Sequence, residues 1–131
     1  MLNNLEKHHI GIIVSPKDIL SIEQEYGKKF HIDKIQGSRV MFVKDAELGI
    51  YKELIVQEGR AKNIPTGFYH VCYSVDNKNE LEKLELFIKE KKLGYPVTQL
   101  EKSGSKECGW VQFFFIKNFG LIELNVEDIF V

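Results

Sequence analysis

Residues 7–14, polar at Lys7 to His9 and mostly apolar from Ile10 to Val14, read as a strand. His9, Gly11 and Ile13 share one face of it, and Ile10, Ile12 and Val14 the other. Ser15 offers an N-cap, Pro16 suits a first helical position, and Asp18 completes a capping-box-like S-x-x-D. Ile19, Ile22 and Tyr26 then recur at helical spacing, so a helix is expected to about Tyr26, ended by Gly27. Three strands follow, at about 30–35, 39–44 and 50–57, with turns at Gln36-Gly37-Ser38 and over 45–49. Residues 59–67 are polar, hold Pro65 and read as a link. The order then repeats. A strand is expected over 68–75, a cap at Asn77-Lys78-Asn79-Glu80, and a helix to about Lys92 with Leu81, Leu84, Phe87 and Ile88 facing inward and Gly94 stopping it. Strands at about 95–101, 109–116 and 120–126 complete the pattern, with turns at Ser103-Gly104-Ser105 and Lys117-Asn118-Phe119-Gly120.

Each half therefore reads β-α-β-β-β, an α+β class. At 131 residues the chain is expected to form a single domain over 1–131. Module one spans about 1–58, the linker about 59–66 and module two about 67–131. A four-stranded sheet alone cannot bury its faces. Two of them side by side can close into a curved, cup-shaped mixed β-sheet with the helices outside.

The two modules carry the same chemistry at matched positions. His9 and His70 each stand five residues before a valine, Val14 and Val75, at the end of a strand that leads to a helix. Later in each module one carboxylate interrupts an apolar strand: Glu53 in Tyr51-Lys52-Glu53-Leu54-Ile55-Val56, and Glu123 in Gly120-Leu121-Ile122-Glu123-Leu124-Asn125-Val126. Strand alternation puts Glu53 on a face with Tyr51 and Ile55, and Glu123 on a face with Leu121 and Asn125. The opposite faces, with Ile10, Ile12 and Val14, Val71, Tyr73 and Val75, Leu54 and Val56, and Ile122, Leu124 and Val126, are better suited to packing under helices. All four polar residues thus belong on the inner side, where a charge is costly unless paired or metal-bound. A lone histidine on a half-buried strand is ordinarily a bystander. Two His and two Glu in matched places are the inventory of a divalent-metal site, suited to Zn, Ni, Co, Mn or Fe. Such a metal can polarise a carbonyl and stabilise the enolate left by loss of the neighbouring proton.

Other features carry less. His8 belongs on the helix side or in solvent, and His31, with no counterpart in module two, at the surface. Cys72 shares the His70 face and suits inert packing. Trp110, Phe113, Phe114 and Phe115 read as core or pocket wall, with an apolar subsite or a dimer surface as further roles. Lys89-Glu90-Lys91-Lys92 is a solvated helix face, and Arg60 and Lys62 in the linker are in reach of an anionic group. A formal net charge of −1 gives no electrostatic footprint for nucleic acid. No apolar run is long enough to span a membrane. The first six residues lack the apolar core of a signal peptide, and two cysteines make neither a disulfide framework nor a C-x-x-C pair, so a reduced cytoplasmic protein is expected.

At His9 to Val14, Glu53-Leu54, Gly67 through Asp76 and Gly120 to Leu124, the chain resembles the vicinal oxygen chelate (glyoxalase/bleomycin resistance) superfamily over nearly its whole length. The segment around His70 and the closing Gly-Leu-Ile-Glu-Leu are most similar to the methylmalonyl-CoA epimerase branch. The resemblance implies paired β-α-β-β-β modules, a divalent metal, a homodimer, and a small-molecule substrate such as a CoA or glutathione thioester. It assigns His9, Glu53, His70 and Glu123 to the metal-ligand positions and Glu123 to proton transfer; the matched position of Glu53 makes it the expected partner of Glu123. The reaction implied is that of an isomerase, epimerase or lyase acting next to a carbonyl. One position departs. The epimerases carry a further glutamate before a glycine at the start of the third strand, where this chain reads Lys34-Ile35-Gln36-Gly37-Ser38. A two-base epimerisation needs groups on opposite faces of its planar intermediate. The departure leaves a one-base isomerase, a lyase or an epimerase of another substrate. The alternative within the superfamily is a metal-free module that sequesters a small ligand, as its resistance proteins do.

Overall fold

The computed structural model describes residues 2–127. Met1 and residues 128–131, and with them the two ends of the domain expected over 1–131, lie outside the described residues. Two compact bodies are present: His9–Tyr69, and His70 onward together with the residues up to His8.

The first body begins in β1 (Glu6–Val14). The Ser15 hydroxyl accepts a hydrogen bond from the Lys17 N–H at 3.4 Å and caps the chain as expected. Pro16–Asp18 form a 3-10 turn before α1 (Ile19–Tyr26), so the first turn of the expected helix is the tighter kind. Gly27 adopts φ 63° and ends α1, with its N–H on the Glu23 carbonyl. There follow β2 (His31–Asp33), β3 (Ser38–Asp45) and β4 (Ile50–Val56). Their order is β2-β3-β4-β1, with β1 and β4 parallel and the other pairs antiparallel. The pleat sorts the side chains as the alternation predicts. Met41, Val43 and Leu54 pack with Ile12, Val14 and, from α1, Ile22 and Tyr26. Ile13, Val40 and Ile55 make a separate cluster on the other face with Ala61, Ile64 and Tyr69.

The second body repeats the plan. β5 (Gly67–Val75) leads to Asn77, whose side chain caps α2 (Lys78–Glu90) by accepting from the Glu80 N–H at 3.0 Å. Then come β6 (Gly94–Pro96), β7 (Glu101–Lys102), β8 (Trp110–Ile116) and β9 (Gly120–Val126). The order is β5-β9-β8-β6 with β7 also on β8, and β5 and β9 are the parallel pair. The α+β class holds in each half; the β-α-β-β-β order holds in the first, and in the second the first strand after the helix is split into β6 and β7.

Four expectations are corrected. Phe87 is 37% exposed, whereas Leu81, Leu84 and Ile88 are buried. At 100° per residue Phe87 stands roughly 90° from the centre of that stripe. Gly94 does not supply the left-handed stop of α2; Lys92 does, at φ 54°. Gly94 instead opens β6, where a Cβ would stand 1.9 Å from the Phe115 carbonyl oxygen. The strand expected over 95–101 is broken because the Thr98 hydroxyl, at 3.0 Å, accepts from the Phe113 N–H in place of a backbone carbonyl. The strand expected over 30–35 stops at Asp33, whose buried carboxylate accepts from the N–H groups of Ile35 (3.0 Å) and Gln36 (3.3 Å) and turns the chain.

The link after β4 is fastened to its own body. Glu58 receives Nε and Nη2 of Arg39 at 2.9 and 2.8 Å, in a two-pronged pair, and the Arg39 N–H at 2.8 Å. The Ser38 hydroxyl donates to the Glu58 carbonyl, and the Arg60 N–H to that of Gln36. Gly59 passes so close to Gln36 and Gly37 that a Cβ would meet their backbone at 2.5 Å. The hydrogen bonds from the Arg39 side chain hold the Glu58 carboxyl below its ordinary value of 4.5. A carboxyl lowered on folding contributes stability that is present above its unfolded value and lost as pH falls through the folded one. Wild-type protein is therefore expected to lose stability below about pH 4.5 more steeply than Glu58→Gln, as urea midpoints between pH 6 and 3 will read.

Candidate metal centre

In the first body β1 and β4 run parallel with Gly11 opposite Glu53, and β3 places Phe42 opposite Glu53 from the other side. β4 is thus an interior strand, and Glu53 is 4% exposed rather than solvated. His9, two residues before Gly11, is fully buried, and its Nε2 lies 3.2 Å from Oε1 of Glu53. The Phe42 ring stands edge-on to the imidazole, with centroids 5.2 Å apart at 88°.

The second body rebuilds this arrangement. Cys72 stands opposite Glu123 across β5 and β9, and Phe113 opposite Glu123 across β8 and β9. His70 Nε2 lies 3.0 Å from Oε1 of Glu123, both residues buried. Phe113 meets the His70 ring at 5.2 Å and 79°. The same nitrogen, the same carboxylate oxygen and the same edge-on phenylalanine recur.

The donor set fits a divalent cation. Imidazole nitrogen and carboxylate oxygen are ligands of Zn and its neighbours. Two ligand atoms about 2.1 Å from one ion, and near a right angle to each other, lie about 3.0 Å apart. Each His–Glu pair has that spacing, which a hydrogen-bonded pair also adopts. A carboxylate this deep in apolar surroundings is costly without a cation or proton to meet it.

The structure thus joins His9 to Glu53 and His70 to Glu123. His31 is exposed in β2, as expected. His8 is half-buried and alternates with His9 across the pleat. Cys72 and Cys108 are buried thiols. Phe114 is core at 0% exposure, while Trp110 and Phe113 are half-buried and Phe115 is 38% exposed. Lys89 to Lys92 are exposed. A cavity of about 410 Å³ between residues 4–6, the end of β5 and the start of α2 includes none of the four His and Glu residues in its lining. The sequence reading does not single out Phe42. The signal was there: Phe42 precedes Glu53 by 11 positions and Phe113 precedes Glu123 by 10, so the rings were repeat partners too.

Among the described residues no helix is long and apolar enough to cross a membrane. In comparisons by sequence, no family model and no curated protein matches the chain. Solved structures do. Methylmalonyl-CoA epimerase from Mycobacterium tuberculosis is 18% identical, with TM-score 0.67 over 94% of this chain and 88% of that one. A hypothetical protein of Bacillus halodurans C-125 is 20% identical, with TM-score 0.67 over 94% of each chain. A Streptomyces coelicolor methylmalonyl-CoA epimerase variant in complex with 2-nitronate-propionyl-CoA is 18% identical, with TM-score 0.61 over 93% and 97%. The fold is that of these methylmalonyl-CoA epimerase structures.

Proposed function

We propose that the protein is a divalent-metal-dependent isomerase or lyase that removes a proton next to a carbonyl of a small metabolite, with His9, Glu53, His70 and Glu123 serving one cation. The observation that carries this reading is the duplication: two buried His–Glu pairs at 3.2 and 3.0 Å, each with its phenylalanine, at equivalent register positions. A single such pair is ordinary core chemistry. Two copies in a duplicated fold are what a shared ion requires.

A divalent cation held by these four residues would polarise a substrate carbonyl and so acidify the neighbouring C–H. Glu123 takes that proton on its carboxylate and returns it, and Glu53 is its partner in the other half. Both stand on interior strands, so their positions are set by the sheet. Phe42 and Phe113 cover the imidazoles and keep water from them. The segment that holds a further glutamate in the epimerases offers none here. Its nearest carboxylate, Asp33, is engaged by the N–H groups of Ile35 and Gln36 and by the Gln36 amide at 2.9 Å. A one-base reaction suits this chain better than a two-base epimerisation. The substrate is a thioester of CoA or glutathione, and the working form a cytoplasmic homodimer.

The test is metal analysis of untagged protein, followed by deuterium exchange at the substrate α-carbon across a panel of thioesters and hemithioacetals. About one divalent ion per chain and exchange on at least one substrate are expected. Protein that purifies without metal and exchanges nothing is a binding module of the resistance type instead.

A further inference from the structure

The face that carries Glu123 does not stop at Phe113. Phe115 follows two residues along β8, about 6.8 Å further on and on the same side of the pleat. Its register partner on β9 is Leu121, and on β6 it is Tyr95. The Tyr95 and Phe115 rings touch, with centroids 5.5 Å apart at 32°. Phe113 is fixed on the His70 side by its ring contact, so the face is settled at both ends of this row. Exposure rises outward from half-buried Phe113 to Phe115 at 38% and Tyr95 at 57%.

A single exposed aromatic residue needs no explanation. Two rings in contact on the face that carries a buried carboxylate do. The duplication supplies the control. In the first body the position equivalent to Phe115 is Lys44, two residues beyond Phe42 and opposite Tyr51. Lys44 is exposed, with its ammonium 5.0 Å from the centre of the Tyr51 ring. The first body thus continues from Phe42 to the Tyr51 ring, centroids 6.2 Å apart, and ends in a cation, so the exposed Phe115–Tyr95 ring pair is a property of one half.

We propose that Phe115 and Tyr95 form the subsite for an apolar limb of the substrate, aryl or branched alkyl, whose reacting carbon lies at Glu123. This rests on the metal-dependent reading above and narrows it to substrates bearing such a limb. Flat rings present a large apolar area at low conformational cost and favour offset contact with a second ring.

The experiment uses metal-loaded full-length protein and two hydroxamates, acetohydroxamate and phenylacetohydroxamate, titrated calorimetrically. The phenyl compound is expected to bind at least about 10-fold more tightly. Phe115→Ala and Tyr95→Ala should each shrink that ratio to about 2-fold or less. Phe119→Ala, an exposed ring at the β8–β9 turn outside the row, should leave it unchanged. If acetohydroxamate binds but the phenyl group adds nothing in wild type, the subsite is refuted while the metal reading stands. A protein that takes up no metal and binds neither compound refutes both. A change of Phe115→Ala or Tyr95→Ala from dimer to monomer in sedimentation assigns the row to contact between copies, and overturns the subsite as well.

Discussion

Replacing Glu123 by Gln is expected to slow exchange of the substrate α-proton by about 10³-fold, the middle of the range for a positioned general base. The amide keeps the size of the carboxylate and an oxygen for the neighbouring site, but it cannot accept a proton. Glu123 is 5% exposed on an interior strand, so substituted water has little room to act in its place. Glu53→Gln, in the equivalent position of the other half, should cost about 10²-fold if the second carboxylate also moves protons. Exchange followed by proton NMR in D₂O reads both values. Activity of Glu123→Gln within tenfold of wild type would remove Glu123 from the chemistry.

His9→Ala is expected to abolish metal binding although it leaves the His70–Glu123 pair intact. One shared ion requires this; two independent sites would leave half the metal in place. In wild type, metal at 1,000 times its dissociation constant should add about 4 kcal/mol of stability. For a chain of this length that raises the melting temperature by roughly 10–15 °C. His9→Ala and His70→Ala should each remove most of that rise, though they sit in different compact bodies. Metal content after dialysis and thermal melts with and without added metal decide the point. A variant that still binds half the wild-type metal would separate the two pairs.

Much of this architecture is legible in the residues because the two halves check each other. The histidines His9 and His70, and the single carboxylates Glu53 and Glu123, need only strand alternation to land on one face of each half. β9 is found where its pattern places it, and both caps, Ser15 and Asn77, act as their side chains suggest. What escapes is set by interactions that alternation does not contain. Thr98 breaks its strand by offering a hydroxyl where a carbonyl was expected. Asp33 ends another by folding its carboxylate onto the following N–H groups. Gly94 looks like a helix stop, yet its lack of a Cβ serves the tight pairing of β6 with β8. The phenylalanines at the imidazoles reach the site from neighbouring strands, so their matched offsets from Glu53 and Glu123 gain meaning only once the register is known.

The fastening of residues 58–61 bears on how copies of this protein can combine. Exchange of equivalent elements between two polypeptides needs a hinge that can straighten. Here the hinge candidate is pinned to Gln36, Ser38 and Arg39, and Gln57 holds the Ile64 carbonyl at 2.8 Å. Straightening it would sacrifice all of these bonds together. A segment so tied resists straightening, and with it the exchange of a half between copies.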